Sequence, residues 1–255
     1  MTSDQISVNL VSDRSVIDQF RRDGFAAVRG VLDRASVDLV RADLMRLLEE
    51  APEIFKGREI NVTSDGLVNS LHNLGGFRWS RYLLDHPTIR DFVGQLLGDE
   101  PEDFGSELFA KPSGTGVPVP DHQDDYYWCI SDGNALTMWF ALARSDEVSG
   151  AVYYFRGSHR LGLRDHSPSG VPGSSQRISD WSGVDLNSRE LVVLEPGDCV
   201  VHHARTIHGS GPNNSGHHRL GLTVRFKSRT SSIDGARKEK YLAELTTQLE
   251  SRGQE

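Results

Sequence analysis

His122-Gln123-Asp124, followed 84 residues later by His208 and eleven residues after that by Arg219, is the pattern from which the rest of this chain is read. Along a strand successive side chains alternate faces, so His122 and Asp124 project together while Gln123 points elsewhere. One short strand thereby delivers an imidazole and a carboxylate to one point, and a second strand must supply the third group. Two imidazoles and one carboxylate leave half of an octahedral iron shell open, the arrangement expected of a non-haem Fe(II) oxygenase. Arg219 adds a planar, permanently charged fork suited to a carboxylate. Gly209, directly after His208, lets backbone turn tightly beside a metal.

Spacing alone does not fix the third ligand. An isolated His-x-Asp is common, and His202, His203, His217 and His218 also lie near His208. Any of them could complete the set, or the cluster could be surface histidine. His202 and His203 fall on opposite faces of one strand, so only one of the pair looks inward.

Around this pattern the chain reads as helices followed by strands. Asp13 caps a helix running through Arg22, with Val16, Ile17 and Phe20 on one face and Gly24 past its end. Phe25–Arg29 is a short strand, a longer amphipathic helix runs from about Arg34 to Glu50, residues 52–76 are irregular, and Pro87–Leu97 is helical. From about Phe104 short runs rich in β-branched and aromatic residues take over: Glu107–Lys111, Ala135–Arg144, Ala151–Phe155, Leu191–Leu194, Asp198–His203 and Arg219–Phe226. This order predicts a mainly β fold with flanking α, a double-stranded β-helix (jelly roll, cupin-like) with the N-terminal helices packed outside the barrel. The expected organisation is one domain over 1–255: a mainly helical N-terminal region over 1–100, a jelly-roll core over 104–230 and a C-terminal helix over 234–250. Residues 161–189, rich in Ser, Gly and Pro, read as a lid loop at the barrel mouth, with disorder as the alternative.

Bulk properties narrow the classes. With 255 residues, 37% apolar and 25% charged, the chain has the composition of a soluble globular protein. A net charge of -8 argues against general attraction to nucleic acid or anionic membrane. No apolar run is long enough to span a bilayer, and Met1-Thr2-Ser3-Asp4-Gln5 lacks the basic start of a secretory signal. Cys129 and Cys199 read as buried thiols rather than a disulfide or a metal pair. A cytoplasmic location is the simplest expectation; oligomeric state is not readable.

The sequence resembles the phytanoyl-CoA dioxygenase-type Fe(II)/2-oxoglutarate-dependent oxygenases. The similarity runs in order from Phe20-Arg21-Arg22-Asp23-Gly24-Phe25 through Lys111-Pro112, His122-Gln123-Asp124, Gly150-Ala151, Gly157-Ser158-His159-Arg160 and Pro196-Gly197-Asp198. It closes with His208-Gly209-Ser210-Gly211-Pro212-Asn213 and Arg219. The resemblance implies that His122, Asp124 and His208 hold iron and carry catalysis. It also implies that Arg219 pairs with the distal carboxylate of 2-oxoglutarate beside Ser210, and that Gln123 and Trp139 line the cosubstrate pocket. His203 is placed next to the ligands or facing substrate; Gly157-Ser158-His159 reads as a structural turn. Related halogenases replace the metal carboxylate with a small residue, so Asp124 favours oxidation without halide.

The implied reaction consumes 2-oxoglutarate and O2, releases succinate and CO2, and hydroxylates an unactivated C–H of a small polar metabolite or natural-product intermediate. Desaturation, cyclisation or epimerisation are the alternative outcomes. Tyr126, Arg156, His203 and Lys111 are the candidate substrate contacts, with Asp125, Tyr127, Trp128, His72 and Asn73 further around the pocket. No basic, phosphate-binding stretch suggests a coenzyme A handle. Two rival classes share the barrel: a cupin-like metalloenzyme that does not use 2-oxoglutarate, which has no need of Arg219, and a noncatalytic binding protein, which has no need of the ligands. A structural zinc site would have four protein ligands and often cysteine.

Overall fold

The structure, a computed structural model, describes residues 6–114, 116–171 and 174–251. Residues 1–5, on which the expectation of no secretory signal rests, lie outside them.

Local chemistry sets the helical half. Helix α1 (Arg14–Asp23) starts where the Asp13 side chain accepts from the Ser15 N–H and stops at Gly24, which adopts φ 87°. Strand β1 (Phe25–Val28) follows. Helix α2 (Arg34–Ile54) is capped by Asp33 and buries Val37, Val40, Leu44 and Leu47. It runs four residues beyond the expected end, tolerating Pro52 in its last turn. The stretch expected to be irregular contains two short strands, β2 (Ile60–Val62) and β3 (Val68–Leu71), which pair antiparallel. Helix α3 (Arg78–Asp85) is absent from the sequence-based expectation, its eight residues being too short for a clear period; α4 (Pro87–Leu97) matches its expected bounds.

The remaining elements are β4 (Pro101–Lys111), β5 (Val119–His122), α5 (Asp124–Trp128), β6 (Ala135–Ala141), β7 (Val152–Phe155), β8 (His166–Val171), β9 (Ser174–Ile178), β10 (Arg189–Leu191), β11 (Cys199–His203), β12 (His208–Ser210), β13 (Arg219–Ser228) and α6 (Gly235–Ser251). The expected strand at Leu191–Leu194 lies earlier, as β10. Inside the segment read as a loop, β8 and β9 form an antiparallel hairpin.

Two sheets face one another. The larger runs β1-β11-β6-β13-β4-β3-β2 and the smaller β10-β7-β12-β5. The larger sheet is buried on both faces, which explains why β6 (ALTMWFA) is buried throughout. Its outer side chains, among them Leu108, Met138, Phe140, Val201, Leu222 and Val224, join the helices in the main core. Its inner face meets the smaller sheet through Phe25, Trp139, Val200 and Tyr154. This is the mainly β, jelly-roll architecture with helices outside. No described helix is long and apolar enough to cross a membrane.

Candidate active site

The smaller sheet brings the two imidazoles together. His208 of β12 stands opposite His122 of β5 in the antiparallel register, and their ring centroids are 4.2 Å apart. Strand β5 ends at His122, but Gln123 keeps extended angles (φ -120°, ψ 130°) before Asp124 opens α5. The alternation therefore survives, and the Asp124 carboxylate turns the same way as His122. Asp124 Oδ1 lies 3.5 Å from His122 Nε2 and 3.7 Å from His208 Nε2. One potential ligand atom from each of the three residues falls within 4.8 Å of the others.

The backbone selects which nitrogen each imidazole offers. His122 Nδ1 donates to the Pro120 carbonyl at 2.9 Å and His208 Nδ1 to the Thr206 carbonyl at 2.9 Å. A carbonyl can only accept, so both Nδ1 atoms carry the proton and both Nε2 lone pairs point into the cluster. Burial also drives the His208 pKa well below its ordinary value, keeping that ring neutral. Neutral imidazoles and an ionised carboxylate are what a divalent metal requires.

Asp124 is held from behind. Its Oδ2 accepts from Thr137 Oγ1 at 2.9 Å and from His202 Nε2 at 3.1 Å. Tyr154 Oη lies 3.2 Å from His202 Nδ1, the acceptor left once Nε2–H faces the carboxylate. Oδ1 is thereby left to the metal cluster. Sequence reasoning assigns this role to none of Thr137, Tyr154 and His202. The signal available is alternation along β11, which allows one of His202 and His203 to look inward.

A second pair of charges lies deeper between the sheets. Arg219 and Lys111 are register partners on β13 and β4, each 2% exposed. Arg219 Nη1 donates to the Gly150 carbonyl at 3.1 Å, its guanidinium sits 5.1 Å from the Trp139 ring, and its buried Nε has no partner. Lys111 Nζ donates to the Gly211 carbonyl. No carboxylate pairs with either cation among the described residues. Burial pushes Arg219 down to about 10, with Tyr154 partly offsetting it; burial and the nearby guanidinium push Lys111 down to about 6. The buried Arg219 guanidinium without a counter-ion is costly unless an anion joins it, and such an anion would also favour the protonated form of Lys111. Ser210, the last residue of β12 and 4% exposed, immediately precedes the carbonyl that Lys111 bonds.

The structure places the remaining candidate residues as follows. Gln123 is fully buried between loops, donating to the Gly162 and Arg205 carbonyls and accepting from Arg164 N. Alternation turns it away from its neighbours, as strand geometry alone requires. His203 lies on the opposite face of β11 from His202, its ring 5.4 Å from His159 and 6.3 Å from Phe20. Arg156 is exposed and paired with Glu190. Lys111 sits beside Arg219. Tyr126 stacks on His166 at 4.1 Å and donates to Glu244 of α6 at 3.0 Å. His217 and His218 are exposed, and Cys129 and Cys199 are free, buried thiols.

Residues 20–221 match the family model described as phytanoyl-CoA dioxygenase (PhyH). The chain belongs to the PhyH family. Its curated relatives include a probable alpha-ketoglutarate-dependent hypophosphite dioxygenase of Stutzerimonas stutzeri, 31% identical over 141 residues, covering 54% of this chain and 49% of that protein. The chain thus spans about half the length of that relative. The peroxisomal phytanoyl-CoA dioxygenase of Mus musculus is 24% identical over 254 residues, covering 91% of this chain and 74% of the mouse protein. Among solved structures, the non-heme alpha ketoglutarate dependent epimerase SnoN from nogalamycin biosynthesis is similar at TM-score 0.69 and 28% identity, over 86% of this chain and 84% of SnoN. Its complex with Fe3+, alpha ketoglutarate and nogalamycin RO is similar at TM-score 0.69 and 27% identity, over the same shares of the two chains.

Proposed function

We propose that this PhyH-family chain is a non-haem Fe(II)- and 2-oxoglutarate-dependent oxygenase that hydroxylates a C–H bond of a small, polar molecule in the cytoplasm. The observation that carries the reading is the pairing of two sites on facing sheets. One is a three-ligand cluster, His122, Asp124 and His208, with both Nε2 atoms presented. The other is a buried Arg219 without a counter-ion.

The residues fit both groups. His122, Asp124 and His208 would hold the iron on one face and leave the other for exchangeable ligands. When bound, iron with 2-oxoglutarate and O2 supplies oxidative decarboxylation to succinate and CO2 together with the oxidising power for the substrate. The chain's own side chains bind and orient. Arg219 would take the far carboxylate of 2-oxoglutarate through paired donors, with Lys111 adding charge and Trp139 fixing the guanidinium plane. Thr137 and His202 keep the second Asp124 oxygen occupied. The buried floor of Tyr154, Trp139 and Val200 excludes water from the deep end.

Anaerobic addition of Fe(II) and 2-oxoglutarate should give a metal-to-ligand charge-transfer band, and O2 should then yield succinate. A protein that binds iron without this band would be a metalloenzyme that does not use 2-oxoglutarate. A second reading, epimerisation, is favoured by the 28% identity to the epimerase SnoN. With 18O2, hydroxylation places one labelled oxygen in the product, whereas epimerisation leaves the substrate's formula unchanged.

A further inference from the structure

Strand alternation places Glu107, Phe109 and Lys111 of β4 on one inner face, with Arg219 and Thr223 opposite Lys111 and Glu107 on β13. Lys111 marks the deep, cationic end. Glu107 marks the other end, four residues or roughly 13 Å along the strand. Around it is a polar network that the metal and cosubstrate sites do not use. Glu107 Oε1 accepts from His72 Nδ1 at 2.8 Å and pairs with Arg225 Nη1 at 3.1 Å. His72 Nε2 lies 3.0 Å from Asn61 Nδ2 and 3.2 Å from Ser70 Oγ. Ser70 is the register partner of both Phe109 and Asn61, so the network lies on the same inner face.

It also adjoins the metal cluster. Arg225 is the register partner of Thr137, whose hydroxyl donates to Asp124, and Glu107 is close enough to feel the Asp124 charge. Arg225 is wedged between the Phe104 and Trp128 rings at 5.6 and 5.4 Å.

The cluster is assembled but not closed. The side chains of His72, Glu107 and Arg225 keep 22%, 15% and 14% of their surface accessible. Glu107 Oε2 and Asn61 Oδ1 have no hydrogen-bond partner among the described residues, and Arg225 Nε is buried without one. Burial works against ionisation of Glu107, but Arg225 and His72 outweigh it and hold the carboxyl below its usual range.

We propose that Glu107 and Asn61 are specificity-determining residues that bind neighbouring hydroxyl groups of a neutral, polyhydroxylated substrate beside the metal cluster, with Arg225 holding the Glu107 carboxylate in place; the proposal rests on the oxygenase reading of that cluster. Two free acceptors suit hydroxyl groups, which donate to them. Glu107 and Arg225 cancel each other's charge, so the region has no excess for an ionic head group. An acyl chain laid there would leave these groups desolvated and unpaired, which strongly disfavours it.

The test is ligand-observed saturation-transfer NMR on the full chain holding Zn(II) and 2-oxoglutarate, which needs no turnover. The probes are myo-inositol and methyl glucopyranoside, with cyclohexanecarboxylate and octanoate as controls. Binding of either polyol but neither acid, weakened at least tenfold in Glu107→Gln, supports the proposal. No binding of either polyol, preferential binding of an acid, or polyol affinity unchanged in Glu107→Gln overturns it. The 2-oxoglutarate-dependent thermal shift checks that each variant is folded. If Glu107→Gln lacks it, Asn61→Ala at the sheet edge decides by the same tenfold criterion. The charge-transfer band of the Fe(II) protein reports the oxygenase reading separately: its absence beside intact polyol binding would sink that reading and leave the polyol site standing.

Discussion

His202 Nε2 faces the outer oxygen of Asp124 at 3.1 Å, so a histidine outside the three-residue cluster determines which carboxylate oxygen is left to it. Groups behind metal ligands typically account for roughly 10–100-fold in metal affinity. His202→Phe, which keeps a ring in the same space, should weaken Fe(II) binding by about that factor. Titration with Fe(II) under anaerobic conditions measures it. An unchanged affinity would assign His202 to packing alone.

Arg219 should report on the cosubstrate. A charge-assisted hydrogen bond contributes about 1.5–3 kcal/mol. Arg219→Ala is therefore expected to raise the 2-oxoglutarate concentration needed for half-saturation roughly 10- to 100-fold while leaving Fe(II) affinity near wild type. Following the charge-transfer band against 2-oxoglutarate gives the first number, and an anaerobic Fe(II) titration gives the second. Equal half-saturation in the two proteins would remove Arg219 from the site.

Lys111 gives the scheme a pH signature. Its folded pKa, pushed down to about 6 by burial and by Arg219, lies below that of an unfolded lysine, about 10.4. Between these values the unfolded chain binds more protons, so this residue's contribution to stability rises with pH and falls away as pH drops toward 6. Lys111→Met should accordingly stabilise the ligand-free protein by about 1–4 kcal/mol near pH 6 and by progressively less toward pH 10. It should also weaken 2-oxoglutarate. In the wild type, 2-oxoglutarate binding at pH 7.5 should take up a proton, seen by calorimetry in buffers of different ionisation enthalpy. No uptake would mean that Lys111 does not meet the dicarboxylate.

Gly221 is a steric prediction. A Cβ built there would lie 1.9 Å from the Trp139 ring, so the indole beneath Arg219 occupies space that only glycine leaves. Gly221→Ala should cost about 1–3 kcal/mol by overpacking, and Trp139→Leu should recover some of it. Urea unfolding of the single and double variants tests the coupling.

The grouping of His122, Asp124 and His208 was legible because it is tied to spacing along a strand, and Arg219 because it closes an ordered set of motifs. Helices α1 and α4 were legible through caps at Asp13, Gly24 and Pro87, and β13 through composition, whereas only the second half of β4, Glu107–Lys111, was. Other features depend on register between distant segments, which a single chain does not display. Lys111 beside Arg219 and His72 on Glu107 are brought together by the larger sheet, and Thr137 behind Asp124 by the packing of that sheet against the segment following β5. Gln123 was legible in one respect: strand alternation turns its side chain away from the point that His122 and Asp124 share.

Gln123 is also a mechanical link. Set between His122 and Asp124, it grips the backbone at Gly162 and Arg164 just before the β8–β9 hairpin, and at Arg205 three residues ahead of His208. A displacement of the hairpin would therefore bear, through one amide, on the segments that carry His122, Asp124 and His208. Insertions or swaps in residues 161–189 intended to alter substrate choice would also retune the metal.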